Sequence, residues 1–167
     1  MSQVALDQRM KRVWMRVLRD PALQDLPYKI ETNELGQIIM TPASNVHGGF
    51  QAEIGCILRT LMNGGRVQME CSIATRKGVK VADVVWRSDE FLARNGEVTP
   101  YQEAPEICVE VVSPSNSKKE QERKRTLYFE RGAKEVWFCS KKGALRFFTP
   151  EGQQNASPMC SKFPKQL

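Results

Sequence analysis

The sequence predicts an α/β domain with a mixed central β-sheet flanked by helices. Three observations predict it. Segments with apolar residues at helical spacing alternate with segments whose apolar residues recur every second position. Glycine, asparagine and proline mark the boundaries between them. The 167 residues, 41% hydrophobic, suffice for one core of ordinary size, and no internal repeat or long linker divides them.

The elements follow in order. Residues 2–19 carry Met10, Val13, Trp14, Val17 and Leu18 on one stripe, with Ser2 placed to cap the start and Pro21 to stop the helix. Residues 28–32 and 37–40 read as a hairpin around Asn33-Glu34-Leu35-Gly36. A second helix is predicted over 45–62, with Phe50, Ile54, Ile57, Leu58 and Leu61 on one face and Asn63-Gly64-Gly65 behind it. Strands are predicted over 67–75 and 79–87, joined at Arg76-Lys77-Gly78, then a short helix over 88–94 closed by Gly96. The central strand is 106–112. A Ser/Pro/Asn turn leads into a helix over 118–130, which Gly132 ends, and strands over 135–139 and 145–149 complete the sheet. From Pro150 the chain reads as a polar loop before a short final segment.

Composition removes several function classes. No apolar run approaches the roughly 20 residues that cross a bilayer, and the first nineteen residues lack the apolar core of an export signal. Cys56, Cys71, Cys108, Cys139 and Cys160 are odd in number and never form a C-x-x-C pair, which argues against a disulfide framework and a zinc site. A reducing, cytoplasmic setting is expected. The net charge of +6 is localised: residues 113–150 hold ten Lys/Arg against four Glu, and the rest of the chain balances. Such a basic stretch suits a polyanion such as DNA or RNA.

Two acids stand where apolar residues are expected. Glu110 interrupts Ile107-Cys108-Val109-Glu110-Val111-Val112, and Asp83 interrupts Val79-Lys80-Val81-Ala82-Asp83-Val84-Val85-Trp86. An unpaired buried carboxylate costs several kcal/mol, so each needs a cation. Side chains alternate along a strand, so on neighbouring strands the two acids can meet and share one Mg2+ (or Mn2+), which takes oxygen ligands. Two strand carboxylates and a lysine are the minimal parts of a metal-dependent phosphodiesterase. The position two past Glu110 is Val112, which cannot supply that lysine, but Glu120, Lys124 and Tyr128 stack at i, i+4, i+8 on the following helix. Helical side chains lean toward the N-terminus, so Lys124 is aimed back at the strand end, with Lys118, Lys119 and Lys80 as competitors. The structural alternatives are an arginine bridge for Glu110, a turn cap for Asp83, a solvated surface for Lys124 and a core position for Tyr128. His47 is expected to pack or hydrogen-bond near the start of the second helix. Glu53, at the margin of that helix, matters only if its face looks into the cleft.

The pattern resembles the PD-(D/E)XK nuclease superfamily and, within it, the Uma-type restriction endonuclease family. The matching residues run from Lys80-Val81-Ala82-Asp83-Val84-Val85 through Ala104–Ser115, with Glu-Val-Val-Ser-Pro-Ser at its end, then Lys124, Leu127, Tyr128, Gly132 and Glu135-Val136-Trp137. Glu31 to Pro42, His47-Gly48 and Ser161-Lys162-Phe163-Pro164 resemble the family's opening hairpin, first helix and closing segment. The resemblance implies a restriction-endonuclease-like domain over 27–167 with a helical extension over 1–26. It implies Asp83 and Glu110 as metal ligands and Lys124 as a relocated lysine. Glu120 stands where such proteins commonly have Asp, and Ala82 where they commonly have Pro; neither change removes a ligand.

The expected activity is Mg2+-dependent hydrolysis of phosphodiester bonds, of DNA in the first instance, by a cytoplasmic homodimer. Glu53, Glu120, Tyr128 and His47 are candidate accessory residues. Lys118, Lys119, Arg123 and Arg125 are expected to hold the phosphate backbone. Two rivals share the fold: a nucleic-acid-binding domain that no longer cuts, and a partner-binding protein with neither activity.

Overall fold

The computed structural model describes residues 3–42, 44–113 and 116–167, so the Ser2 cap and the Pro114-Ser115 step fall outside the described residues. Helix α1 (Gln3–Arg19) leads through a single 3-10 turn at Pro21–Leu23 into a hairpin of β1 (Tyr28–Thr32) and β2 (Ile38–Pro42). Helix α2 (Asn45–Leu61) starts where the Ser44 hydroxyl accepts from the His47 N–H at 3.2 Å. The strands β3 (Arg66–Thr75) and β4 (Gly78–Arg87) form a long antiparallel ribbon. Ser88 caps the short α3 (Asp89–Asn95), and Gly96 closes it at φ 64°. Then come β5 (Ile107–Val111), α4 (Lys118–Glu130), β6 (Glu135–Cys139), β7 (Leu145–Thr149) and β8 (Gly152–Gln154).

β1 and β2 stand apart as a two-stranded sheet, and the other strands lie side by side in chain order from β3 to β8. Every neighbour pair in the larger sheet is antiparallel except β5 and β6, which α4 connects. The sheet is therefore mixed, as the alternation of patterns predicts. One difference lies at the end: the segment after Pro150 adds the short strand β8, whose Gly-Gln-Gln sequence has no apolar alternation to announce it. Another is Glu106, placed in the central strand by its sequence. It lies just before β5, buried, and its carboxylate accepts from the Ser88 N–H and hydroxyl.

Three apolar clusters hold the layers together. Ile54 and Leu58 of α2 pack with Val84, Trp86, Val109, Trp137 and Phe163. Tyr128 of α4 and Phe91 of α3 pack with Val85, Cys108, Val136 and Phe138. Met10, Trp14 and Val17 of α1 pack with Ala74, Val79 and Val81. Full burial of side chains this large contributes about 1.5–3 kcal/mol each.

The hairpin is fastened to β4 at Gly78. This residue has φ 96°, and a Cβ on it would collide with the Thr32 carbonyl at the end of β1. The Thr32 hydroxyl accepts from the Val79 N–H at 2.9 Å, and the Glu31 carboxylate accepts from the Val81 N–H at 2.9 Å. Gly78→Ala is expected to destabilise the fold by more than about 1 kcal/mol. Gly96→Ala, at a positive φ with open space around it, is expected to cost less. Urea midpoints of the two variants check the ordering, and equal losses would remove the collision as the cause.

Candidate active site

The register places the two sequence-predicted acids together. Val84 pairs with Val109 and Val85 with Cys108, so the next step along the two antiparallel strands sets Glu110 opposite Asp83. The strands separate there, and the Asp83 carboxylate takes over as acceptor, receiving the Val111 N–H on Oδ2 at 2.6 Å. On the other side, the β3–β4 ladder pairs Met69 with Val84 and Cys71 with Ala82 but omits Glu70 and Asp83 between them. Glu70 takes φ 52°. A non-glycine residue in that region is strained by roughly 1–2 kcal/mol, and the break in the ladder brings the Glu70 carboxylate toward the same space as Asp83.

Lysines meet these acids. Lys29 of β1 reaches Asp83 Oδ1 at 2.6 Å and Glu110 Oε2 at 3.3 Å. Lys124 of α4 reaches Glu110 Oε2 at 3.0 Å and Glu31 Oε1 at 2.7 Å. The Tyr128 hydroxyl, fully buried, donates to Glu110 Oε1 at 2.6 Å. Lys80, a competitor for the lysine role by sequence, instead donates to the Thr32 carbonyl at 2.8 Å. From α2, His47 Nε2 lies 3.1 Å from Asp83 Oδ1, and Gln51 donates to the Glu70 carboxylate. These acidic, basic and α2 side chains line one cleft of about 660 Å3, and Tyr128, outside its lining, reaches it only through Glu110.

The electrostatics follow from burial opposed by pairing. Burial alone would raise the Asp83 pKa, but Lys29 and His47 outweigh it and hold the carboxyl well below its ordinary value. Glu31 is likewise lowered, with Lys124 and Lys29 overcoming its burial. Burial works against the charge on Lys29 and Lys124, yet the surrounding carboxylates raise both. His47 is raised by its hydrogen bond to Asp83. Glu70 is raised by burial. The cleft lining holds six carboxylates, of Glu31, Glu34, Glu70, Asp83, Glu110 and Glu120, against the four cations of Lys29, Lys80, Arg123 and Lys124, an excess of acid that a proton on His47 or a bound cation would offset.

The residues present suit a divalent ion. One ligand atom each from His47, Glu70 and Asp83 lie within 4.8 Å of one another, the only such group among the described residues. One imidazole nitrogen with carboxylate oxygens fits Mn2+ well and Mg2+ less well, because magnesium prefers oxygen throughout. The Glu110 oxygens are engaged by Tyr128, Lys29 and Lys124.

Other sequence-predicted positions divide. Arg123 and Glu120 line the cleft, Arg123 within 3.4 Å of Glu34 and Glu120 accepting from Asn116 at 3.1 Å. Lys118 and Lys119 are exposed on the first turn of α4, outside the cleft lining. Arg125 lies over the Phe148 ring at 4.5 Å. Glu53 is exposed and outside the cleft; the face of α2 that looks in carries His47 and Gln51. Lys29, Glu70 and Gln51 were not singled out by sequence. A signal for Lys29 existed: it and Glu31 sit two apart on a strand, a base and an acid on one face.

The family model described as "Putative restriction endonuclease", named Uma2, matches residues 21–164. The chain belongs to the Uma2 family. A solved structure described as a putative nuclease belonging to DUF820, from Anabaena variabilis, superposes on it with a TM-score of 0.66 over 83% of this chain and 86% of the other. Sequence identity between the two is 15%, so the likeness shows a shared fold. No curated protein matches the chain. The cleft of this Uma2 protein lies within the matched residues, whereas the whole of α1 precedes them.

The lowered carboxyls set an acid limit. With folded pKa values below the unfolded ones, Asp83 and Glu31 contribute stability above the ordinary carboxylate range of about 4, and it is lost as pH falls through that range and below. The denaturant midpoint is expected to drop steadily on acidification from pH 5. Asp83→Asn is expected to flatten that dependence while starting from a lower stability at pH 7. A wild-type midpoint independent of pH below 5 would contradict the pairing described.

Proposed function

We propose that this Uma2 protein is a divalent-metal-dependent endonuclease that hydrolyses phosphodiester bonds of DNA. The observation that carries the reading is the convergence of Asp83, Glu70, His47 and Glu110 with two lysines in one cleft that carries an uncompensated negative charge. Asp83 with Glu70 and His47 would hold the ion, Mg2+ or Mn2+, with Glu110 completing the carboxylate set. When bound, such an ion polarises a phosphoryl oxygen and makes water more acidic.

The chain's own residues supply the rest. Lys124, fixed between Glu31 and Glu110, presents an ammonium to charge developing on phosphate or water. Tyr128 holds Glu110 in one orientation through Oε1 and leaves Oε2 to the lysines. Gln51 holds the Glu70 carboxylate toward Asp83. Arg123 on the cleft wall is placed for a flanking phosphate. The five cysteines are free thiols, which fits a reducing compartment such as the cytoplasm, and no helix among the described residues is long and apolar enough to cross a membrane.

A second reading, a nucleic-acid-binding domain that does not cut, draws support from Lys29. An ammonium bridging Asp83 and Glu110 is a covalently supplied cation beside the place an ion would take. Purified protein on plasmid DNA with Mg2+ or Mn2+ separates the two. The nuclease reading expects nicking that Asp83→Ala and Glu110→Ala abolish, that Lys124→Ala reduces by about 10²–10³, and a thermal midpoint raised by Mn2+. Equal activity in all preparations, or no activity and no Mn2+ shift, would sink it.

We further infer that a second copy of the chain is its partner. The exposed strand β2 supports this: Ile38 and Met40 are each about 40% exposed on its face away from the cleft, and Ile38–Pro42 carries no charge to discourage edge pairing. Sedimentation velocity is expected to give a dimer for the wild type and a monomer for Ile38→Lys/Met40→Lys; a monomeric wild type would refute it.

A further inference from the structure

Helix α1 has spent its apolar face. Met10, Trp14 and Val17 are buried against the sheet, and the exposed apolar residues left on it, Val4 and Leu18, lie near opposite ends. The outer side is basic. Lys11, Arg12, Arg16 and Arg19 are exposed, and none forms an ion pair among the described residues. Asp7 is matched by Arg131 at the end of α4, and Asp20 is engaged with the Ala22 N–H at 3.0 Å.

Spacing makes these charges a track. Arg12 and Arg16 are four apart, and Lys11, Met15 and Arg19 form a second row beside them. At 1.5 Å per residue, Arg12 to Arg19 spans roughly 10 Å, over which duplex DNA presents about six phosphate charges. The four side chains, with Gln8, Met15 and the single carboxylate of Asp20, line a shallow groove of about 770 Å3 that reaches Pro21, four cations against one acid. The lining of the active-site cleft begins shortly after, at Leu26. The hairpin turn joins this helix to the cleft wall as well. A Cβ on Gly36 would lie 3.4 Å from a Val13 methyl of α1, while Glu34 pairs with Arg123 of α4.

We propose that the exposed basic face of α1 docks the phosphodiester backbone of the nucleic acid that enters the cleft. This rests on the nucleic-acid reading of the cleft and extends the contact surface beyond the residues shared with the family. An anionic membrane is the weaker fit, because a surface-lying helix needs a free apolar face to insert, and that of α1 is buried in the fold. The backbone is that of duplex DNA, the substrate of the cleft reading, and tighter binding of the single-stranded RNA than of the duplex would overturn that assignment.

The test uses the full chain with Lys11, Arg12, Arg16 and Arg19 all changed to Gln, exposed positions whose loss leaves the core intact. A labelled DNA duplex and a labelled single-stranded RNA are titrated in EDTA across a salt series, with binding read by fluorescence anisotropy. For the duplex, the wild type is expected to bind with a steep salt dependence. The variant is expected to lose about 0.9 of the log–log slope per phosphate contact removed, and at least tenfold in affinity at low salt. Changing Arg12, Arg16 and Arg19 to Lys instead is expected to keep the slope, and thermal midpoints confirm that each variant is folded. An unchanged slope in a variant that binds as the wild type does would overturn the role of α1 while leaving the cleft reading intact. A wild type that binds neither nucleic acid would overturn both. Binding to phosphatidylserine vesicles in place of either nucleic acid would overturn the proposal in favour of a membrane.

Discussion

The pairing of buried carboxylates with buried lysines fixes this structure around its cleft. Glu110 lies in the middle of the sheet, and Lys29, Lys124 and Tyr128 reach it from β1 and α4. Glu31 is drawn in by Lys124 and by the Val81 N–H, so the hairpin is tied to α4 and to β4 at once. Removing one partner from such a network leaves a buried charge uncompensated, a loss of about 3–5 kcal/mol. The hairpin is not part of the large sheet and has little apolar contact of its own. Its position therefore depends on these charged contacts and on the close fit at Gly78.

That dependence explains which features were legible in the sequence. Helix α4 follows its predicted bounds because Ser117 caps it and Gly132 ends it, both local signals. Glu110 and Asp83 stood out because each breaks an apolar run; alternation gives each a face, and the β4–β5 register that sets them opposite each other comes from the fold. Lys124 was reachable because it lies on the helix directly after Glu110. Lys29 carried only the weak signal of sharing a strand face with Glu31: it meets Asp83 across 54 positions of chain, and its own strand is half polar, so nothing local is violated. Glu70 was hidden for a different reason. It sits, exposed, in a strand whose outer half alternates with polar residues, and its positive φ opposite Asp83 brings its carboxylate beside that acid. His47, a lone histidine by sequence, gains its significance from the cap at Ser44, which sets the first turn of α2 over Asp83.

The break in the ladder at Glu70 and Asp83 has a structural logic. A continuous ladder would engage backbone groups on both strands and leave each carboxylate to alternate faces on its own. Here the β4–β5 ladder ends just before Asp83, although β5 itself runs on to Val111, and the β3 backbone takes a positive φ at Glu70. The Asp83 carboxylate substitutes for a missing ladder acceptor, with one oxygen on the Val111 N–H and the other toward Lys29 and His47. One oxygen thus anchors the side chain and the other faces the cleft, so orientation is set before any ligand arrives.

The sign of the cleft bears on what can enter it. At an effective dielectric of about 20, two like charges 4 Å apart repel by about 4 kcal/mol, roughly a thousandfold in affinity. A phosphate approaching Asp83, Glu70 and Glu110 meets that repulsion unless cations answer it. Lys29 and Lys124 are already committed to the carboxylates, so their charge is largely cancelled before a phosphate comes near. Protonated His47 could offset part of the remaining charge but would not make the floor of the cleft positive. A divalent ion would offset the excess of acid there and present its own charge directly to the phosphate. In the nuclease reading proposed above, the attraction for a long polyanion would then lie outside the cleft floor, on unpaired surface bases, and the floor would select for an ion together with its phosphate.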